Sequence, residues 1–459
     1  MSAALPTPQA LRALMARMES GLLERAEAVR LALLAALAGE HVLLIGPPGT
    51  AKSELARRLQ HAFAGARYFE RLLTRFSVPE ELFGPLSLKA LEDDRYERLT
   101  DGYLPTASVA FLDEVFKANS AILNALLTLL NEREFDNGRA REKTPLISVV
   151  GATNEVPTDD ALQAFYDRFL VRVPVAAVGD ASFDALLDLA PRGGDDPAAL
   201  GRAAIDAVQA GRHGVALGPQ ARTALHGLRV QAAQMQLTVS DRRWRQLVQL
   251  LRTQALCTGR DRVEPVDLWV APYCVAEQPQ QVPALQAWFL DEVLAAPVLE
   301  AAWLTRAVEA FEKQFEIESQ VRQEDGDAGK LALARSIGMT QTEGGMTRLV
   351  SVTLEERVRK HYSALHVAAR AAQVDDVAAP ALAQLRTLQT HAADVLGALA
   401  ASVWVPPPLR QQVHARLDAS LRTLAALVAR LQGVGVAFAS LPVDAALQGE
   451  APAPVVIAA

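Results

Sequence analysis

The 459-residue sequence is poor in the features that identify disulfide-stapled, nucleic-acid-binding and membrane proteins. It has two cysteines, Cys257 and Cys274, both within apolar helical sequence, so we expect buried thiols in a reducing compartment. Its 53 acidic residues outnumber 46 basic ones, and the net charge of -7 provides no positive field for a nucleic-acid backbone. No apolar run approaches the roughly 18 residues of a membrane-spanning helix. We therefore expect a cytoplasmic protein without stable membrane insertion and without a nucleic-acid partner.

Signatures of several catalytic classes are also absent. None of the eight histidines belongs to a His-Glu-x-x-His pair, and His361 and His366 have the wrong spacing to share one helical face. There is no Gly-x-Ser-x-Gly turn, and neither cysteine has the context of a nucleophile. The sequence thus gives no basis for zinc chemistry or for a serine or cysteine hydrolase.

Hydrophobic patterning, in contrast, is strong enough for several domains. Half of the residues are hydrophobic, and short apolar runs at 41–45, 109–112 and 147–152 are separated by sequence of helical period. This alternation predicts a parallel sheet flanked by helices over residues 1–178. The pattern is then entirely helical, which predicts a helical lid at 179–276, a helical C-terminal domain at 277–435 and a flexible tail at 436–459. Within the C-terminal domain, stretches at 376–402 and 408–432 are predicted to form an antiparallel hairpin.

A loop rich in glycine and proline follows the first predicted strand. The loop comprises Gly46, Pro47, Pro48, Gly49, Thr50, Ala51, Lys52 and Ser53, and the next helix is predicted to begin at Glu54. This is the context of a Walker A loop, in which backbone N–H groups face the phosphates of ATP, Lys52 pairs with the β and γ phosphates, and the Ser53 hydroxyl binds Mg²⁺. Ala51 replaces the usual glycine, which a right-handed backbone at the helix start would allow. The alternative is a turn that binds nothing.

Two adjacent acids, Asp113 and Glu114, follow the second predicted strand. Because the carboxyl ends of parallel strands share one edge of a sheet, this Walker B pattern predicts Asp113 as a ligand of Mg²⁺ and Glu114 as the base that orients and deprotonates the attacking water. The alternative is an acidic N-cap for the helix at 117–130. Both motifs in this order, each at a strand end, favour ATP hydrolysis.

The first 275 residues resemble AAA+ ATPases of the MoxR family, and most closely its RavA (regulatory ATPase variant A) branch. The resemblance rests on three strings, at 74–86, 95–105 and 111–118. It implies an α/β AAA+ P-loop core with an all-helical lid and an all-helical C-terminal extension. RavA-like proteins also carry a β-rich insertion in that extension, for which the interval 326–352 is too short.

The same resemblance implies roles for residues that follow the two motifs. Asn154 matches sensor 1, whose amide helps to hold the hydrolytic water, with an asparagine turn as the alternative. Arg168 matches the arginine finger, which completes the site of a neighbouring subunit, with an ion pair to Asp167 or a nearby acid as the alternative. In the lid, sequence 240–244 resembles sensor 2, with Ser240 as the N-cap, and we choose Arg242 over Arg243 for the γ-phosphate contact.

Two insertions resemble those of the same clade. An Asn-Gly dipeptide within 134–139 predicts the pre-sensor hairpin, and residues 77–104 would form the helix-2 insert. Both could face a central pore and touch clients, and an exposed structural hairpin is the alternative.

The leading functional hypothesis is a remodelling chaperone driven by ATP hydrolysis. It would form a homo-oligomeric ring, expected to be a hexamer, and act on a client protein complex. A von Willebrand factor A domain partner would be a separate polypeptide, because its Asp-x-Ser-x-Ser metal site does not occur in this sequence.

The alternative is a DNA-directed AAA+ protein, either a transcription activator or a helicase loader. The acidic balance and the absence of a Gly-Ala-Phe-Thr-Gly-Ala loop oppose it. A third possibility, a scaffold that binds ATP without turnover, is opposed by the intact pair of Asp113 and Glu114.

Overall fold

The computed structural model describes residues 5–189, 199–294, 301–319 and 361–457. The chain divides into two compact units. The first comprises Met1–Leu294 with Val395–Val413, and the second comprises Ala295–Asp394 with His414–Ala459. The first unit therefore contains both predicted ATP motifs and continues beyond the predicted end of the lid at residue 276.

A five-stranded parallel sheet forms the centre of the first unit. Its strands are β1 (Val42–Ile45), β2 (Tyr68–Leu72), β3 (Val109–Asp113), β6 (Ser148–Thr153) and β7 (Val171–Pro174), in the order β2-β3-β6-β1-β7. The sheet and the helices around it confirm the predicted AAA+ fold class. Strands β1 and β6 are buried throughout because helices cover both faces of the sheet, so they read in the sequence as continuous apolar runs.

Helices of the first unit pack on the sheet and form the lid. Their bounds are α1 Pro8–Glu19, α2 Ala26–Ala38, α3 Lys52–His61, α4 Pro79–Phe83, α5 Leu88–Glu92, α6 Ser120–Glu132, α7 Asp160–Tyr166, α8 Phe183–Leu187, α9 Arg202–Gly211, α10 Pro219–Gln234, α11 Asp241–Cys257, α12 Ala271–Val275 and α13 Val282–Trp288. Gly39 at φ 75° ends α2 directly before β1, and the Ser240 side chain caps α11 by accepting from the Arg243 N–H, as predicted.

The predicted Asn-Gly hairpin is confirmed as β4 (Glu134–Asn137) paired antiparallel with β5 (Ala140–Lys143). Asn137 pairs with Ala140, so the two turn residues are Gly138 and Arg139. Gly138 has φ 64°, and a Cβ there would lie 2.3 Å from the carbonyl oxygen of Tyr96. This close approach fixes the hairpin against the insert at 77–104.

The remaining helices are α14 (Ala301–Ser319), α15 (Ala364–Ala401) and α16 (Pro407–Ala439). The second unit contains α14 and most of α15 and of α16. The last two helices form the predicted antiparallel hairpin, since Val374 packs on Gly435 near one end and Tyr362 pairs with Val443 beyond it. Among the described residues, α16 alone is long and apolar enough to cross a membrane by length and composition. That is weak evidence for a span, because α16 supplies part of the core of this unit.

Both cysteines are buried and unpaired, as predicted. Burial raises the pKa of the Cys257 thiol and of the Cys274 thiol to about 12. A thiol that stays protonated is a poor nucleophile and a poor metal ligand. The two residues are therefore structural.

Candidate functional site

The phosphate loop, residues 46–53, leaves the carboxyl end of β1 and enters α3. A Cβ at Gly46 would lie 1.9 Å from the Val175 carbonyl oxygen, so this position requires glycine. Gly49 has φ 79°, and the Thr50 hydroxyl donates to the Pro47 carbonyl at 2.9 Å. Helix α3 begins at Lys52, two residues before the predicted start at Glu54. The loop thus delivers Lys52 and Ser53 to the first turn of a helix at the sheet edge.

The predicted conformation of Ala51 is wrong. Its φ of 61° and ψ of 29° lie in the left-handed region, where it caps α3 rather than belonging to the helix. The chain reverses direction between β1 and α3. The residue at position 51 must adopt the left-handed conformation for this turn, even though it is alanine. An L-residue pays roughly 1–2 kcal/mol for that conformation. The loop therefore keeps its form under local strain.

Lys52 is folded back over the loop. Its Nζ donates to the carbonyl oxygens of Gly46 at 2.5 Å and Pro47 at 3.0 Å, and to Asn154 Oδ1 at 3.4 Å. Burial lowers the pKa of Lys52, and the nearby charges of Asp113 and Glu114 oppose that shift. The ammonium therefore lies between the loop and the two acids, where an anionic ligand of the loop would meet it.

The two acids and Asn154 meet because β3 and β6 are neighbours in register, from Val109 with Ser148 to Leu112 with Gly151. Asn154 Nδ2 donates to Glu114 Oε1 at 2.6 Å, and Asp113 Oδ1 accepts the Glu114 N–H at 2.9 Å. Glu114 has φ 50°, so the chain turns sharply directly after β3. The side chain of Asn154 thus bridges Lys52 and Glu114.

Ser53 and Asp113 supply the oxygen ligands that Mg²⁺ prefers. The described residues contain no group of three or more His, Cys, Asp or Glu side chains that could hold a metal by themselves. Mg²⁺ is commonly bound by one or two protein oxygens, with waters and substrate phosphates completing the octahedron. The donor set at the loop therefore fits a magnesium ion that arrives with a nucleotide.

Arg168 does not form the ion pair that was its alternative explanation. Asp167 pairs instead with Arg243 at 3.0 Å and lies 3.8 Å from Arg172. Arg168 Nε is buried without a hydrogen-bond partner in the part of the chain that the structure describes. Its role as an arginine finger stays a prediction.

The structure separates the two candidate arginines of the lid. Arg243 is 3% exposed and donates to the carbonyl oxygens of Phe169 at 2.9 Å, Leu170 at 2.6 Å and Cys274. These hydrogen bonds hold the lid against the residues that precede β7. All of the N–H donors of Arg243 are used, so none is available to a ligand. Arg242 donates one bond, to Asn131 Oδ1 at 3.0 Å. Arg243 is therefore excluded from a ligand contact, and the role of Arg242 as sensor 2 stays a prediction.

Arg168 and Arg242 lie at the edge of the sheet opposite the phosphate loop. Arg168 precedes β7, whose first residue pairs with Val42 at the start of β1. Arg242 is close enough to Glu40, just before β1, to lower the pKa of that carboxyl, although burial prevails and raises it to about 7. The loop follows the other end of β1, roughly 13 Å away for four extended residues. In this arrangement both arginines lie away from the phosphate loop of the same chain.

Comparison with known proteins identifies the family. Residues 9–199 match the model described as the MoxR domain in MoxR-vWA-beta-propeller ternary systems, and residues 222–289 match an AAA lid domain. An uncharacterized protein of Methanocaldococcus jannaschii is 40% identical over 270 residues, covering 58% of this chain and 70% of that protein. The chain belongs to the MoxR family of AAA+ ATPases.

Two further relatives of this MoxR-family ATPase agree with that placement. A second uncharacterized protein of Methanocaldococcus jannaschii is 56% identical over 162 residues, which are 35% of this chain and 42% of that protein. Protein MoxR of Paracoccus denitrificans is 28% identical over 278 residues, covering 54% of this chain and 81% of the relative. None of these matches distinguishes the RavA branch, which stays a prediction.

Arg25 belongs to the site of this MoxR-family ATPase and was missed in the sequence. It is 6% exposed, and it donates from Nε to the Thr50 carbonyl at 3.1 Å and from Nη2 to the Ala176 carbonyl at 2.6 Å. It thereby joins the phosphate loop to the end of β7. No local signal could have found it, because the contact depends on α2 and β7 meeting in the fold.

A cavity of about 290 Å³ adjoins the phosphate loop. Its lining includes Glu27, Tyr273, Gln286 and Val175, and Val175 is the residue against which Gly46 packs. The Gln286 amide donates to the Tyr273 hydroxyl and to Glu27 Oε1 at 3.4 Å. The volume is near the lower end for small-molecule sites, about 300 Å³. The cavity has the size and the polar groups to receive one end of a nucleotide.

Replacing Ala51 by glycine should stabilise the first unit. Glycine removes a left-handed cost of roughly 1–2 kcal/mol but adds unfolded-state entropy of roughly 0.5–1 kcal/mol. We expect Ala51→Gly to raise the free energy of unfolding by up to about 1 kcal/mol, measured by urea denaturation. In the matched control Ala224→Gly, within α10, the same change should cost about 1 kcal/mol. Equal losses in both variants would contradict the strain at Ala51.

Glu27 should make stability fall as pH rises. Burial raises its pKa from an ordinary 4.5 to about 7, so the folded protein favours the protonated carboxyl. The contribution of Glu27 to the free energy of unfolding is fully present below pH 4.5 and is lost as the pH rises through 7. The loss amounts to about 3 kcal/mol at most. Glu27→Gln should therefore gain stability over wild type at pH 8 but not at pH 4.5.

Urea denaturation at the two pH values tests this expectation for Glu27. Glu24 provides a control of opposite sign, because hydrogen bonds from Ser182 and Gly179 lower its pKa. A Glu27→Gln variant whose stability tracks wild type at both pH values would contradict the buried, protonated carboxyl.

Proposed function

We propose that this MoxR-family ATPase hydrolyses ATP and uses the energy to remodel a client protein complex. The observation that carries the proposal is the meeting of Lys52, Glu114 and Asn154 at the carboxyl edge of the sheet. Asn154 hydrogen-bonds both of the other side chains, at 3.4 Å and 2.6 Å. A cation, a carboxylate and an amide that joins them are the groups that phosphoryl transfer to water requires.

Each of these residues has a separate task in the proposed reaction. Backbone N–H groups of 46–53 and the Lys52 ammonium hold the β and γ phosphates of ATP. Bound Mg²⁺, held by Ser53 and Asp113, would neutralise charge on the phosphates. Glu114 accepts a proton from the attacking water, and Asn154 keeps the Glu114 carboxylate in place. The cavity lined by Glu27, Tyr273 and Gln286 would receive the adenine base.

We propose further that the active form is a homo-oligomeric ring, and that it is a hexamer. Arg168 and Arg242 lie at the edge of the sheet opposite their own phosphate loop, so a head-to-tail neighbour offers them a target. Head-to-tail contacts between identical subunits close into rings when the rotation permits. In such a ring Arg168 acts as the arginine finger, and Arg242 contacts the γ phosphate from the adjacent subunit.

The proposed partner is a protein with a von Willebrand factor A domain. The matched family model is named for MoxR domains in ternary systems with vWA and beta-propeller proteins. We propose that a vWA protein links the ring to its client, in the cytoplasm, and that the chain acts in the manner of the RavA branch.

Turnover and partner binding test this function directly. The purified chain should release phosphate from ATP only with Mg²⁺, and assemble further when nucleotide is present. A vWA protein encoded beside it should co-purify with it in a nucleotide-dependent manner. An assembled chain that binds ATP but releases no phosphate with or without that partner would refute the motor.

A further inference from the structure

The lid carries an open groove with an apolar floor and a basic rim. This lid groove encloses about 480 Å³ between α10 and α11. Half-buried Leu225, Trp244 and Val248 line it, together with exposed Arg222, Arg229 and Arg245. The three arginines form no ion pair with any described residue, and one carboxylate, Asp241, also lines the groove. Its composition fits an acidic segment that also presents apolar side chains.

Another surface of the same unit has the complementary composition. Residues 180–189, here called the acidic segment, form a 3-10 turn followed by α8, and neither element has a buried residue. Phe183, Leu186 and Leu187 are 51%, 39% and 68% exposed. The segment also carries three acids: Asp180 begins the 3-10 turn, Asp184 lies in the first turn of α8, and Asp188 directly follows α8. Three apolar side chains exposed to this extent on one short segment indicate a surface for a partner.

The lid groove and the acidic segment lie at opposite edges of the sheet. The Gly179 N–H donates to Glu24 at 3.1 Å, and the adjacent Arg25 binds the Thr50 carbonyl of the phosphate loop. The acidic segment is thereby held near the loop. The lid groove shares α11 with Arg242, which lies near Glu40 at the start of β1.

We propose that the acidic segment of one subunit docks into the lid groove of the next copy of this chain. The inference rests on the proposed ring, in which Arg242 reaches the phosphate loop of its neighbour. The same approach carries the groove on α11 towards the segment held beside that loop. Phe183, Leu186 and Leu187 then cover the floor, and the aspartates meet the arginines of the rim.

Charge-reversal variants test this docking. The measured quantity is the protein concentration at which the chain assembles in the presence of ATP and Mg²⁺. One double variant carries Asp184→Arg and Asp188→Arg, and the other carries Arg222→Glu and Arg229→Glu. Each places like charges at the proposed contact, so each should raise the protein concentration at which half of the chains are assembled by more than about tenfold. Combining all four substitutions restores opposite charges and should restore assembly. The matched pair Asp375→Arg with Asp376→Arg, on exposed positions of α15, should leave it unchanged.

Disulfide cross-linking between introduced cysteines tests which residues of the acidic segment and the lid groove lie in contact. Leu187→Cys protein mixed with Val248→Cys protein should form a cross-linked dimer, without competition from the buried Cys257 and Cys274. Val230→Cys, on α10 of the lid but outside the groove, is 58% exposed and should not cross-link with Leu187→Cys.

The outcomes separate the docking from the function on which it rests. If the chain assembles and hydrolyses ATP but gives no rescue by the four substitutions and no selective cross-link, the docking is wrong and the proposed motor stands. A chain that stays monomeric with nucleotide and has no turnover would overturn both.

Discussion

Glu114→Gln should lower ATP turnover by about 10²–10⁴-fold, the usual contribution of a general base, while ATP binding changes little. The amide keeps an oxygen that can accept the 2.6 Å hydrogen bond from Asn154, so the local geometry survives and only the proton acceptor is lost. The measurement is steady-state phosphate release together with equilibrium binding of labelled ATP. The variant should trap the assembled, ATP-bound state.

Glu155→Gln is the matched control for this substitution. Glu155 is exposed and directly follows Asn154, but its carboxylate takes no part in the proposed site. Its turnover should equal that of wild type. Wild-type turnover in Glu114→Gln would remove Glu114 from its assigned role and leave the nucleotide site itself in place.

Arg168→Ala should lower turnover by roughly 10³-fold or more, as expected for loss of an arginine finger. The reason is geometric, because Arg168 lies at the far edge of the sheet from the loop of its own subunit and has no ion-pair partner among the described residues. Lys52→Ala should be equally inactive through loss of phosphate binding. Because the two defects fall on different sides of one interface, a mixture should regain activity.

The size of that recovery is itself a prediction. At a one-to-one ratio with random assembly, about a quarter of the interfaces pair an intact Lys52 with an intact Arg168 in the adjacent subunit. Phosphate release should thus approach about a quarter of the wild-type rate. Arg386→Ala, an exposed arginine on α15, provides a control that should retain full activity. No recovery at any mixing ratio would show that Arg168 does not act across an interface.

The centre of the site was predictable because its strands are buried on both faces. Such strands read as uninterrupted apolar runs, and the residues that follow them converge at one edge of the sheet. Gly46 and Asn154 directly follow two strands of this kind, and Asp113 is the last residue of a third. Strands β2 and β7 were not predicted, since β2 is a partly exposed edge strand and β7 carries the buried charge of Arg172.

Other features depend on contacts that the linear sequence does not display. The left-handed backbone of Ala51 follows from the turn between β1 and α3, whereas residue type alone favours a right-handed one. The burial of Arg243 against β7 decides between two adjacent arginines that look equivalent in the sequence. Arg25 and Glu27 join the site because α2 packs beside the phosphate loop.

Equilibrium binding of labelled ATP with Mg²⁺ tests most directly whether residues 46–53 bind a triphosphate. Wild type should bind saturably, and Lys52→Ala should weaken binding by about 10–100-fold, the effect of losing a charged hydrogen bond. An intact wild-type protein that retains no nucleotide at millimolar concentration, or a Lys52→Ala variant that binds as tightly as wild type, would contradict this assignment.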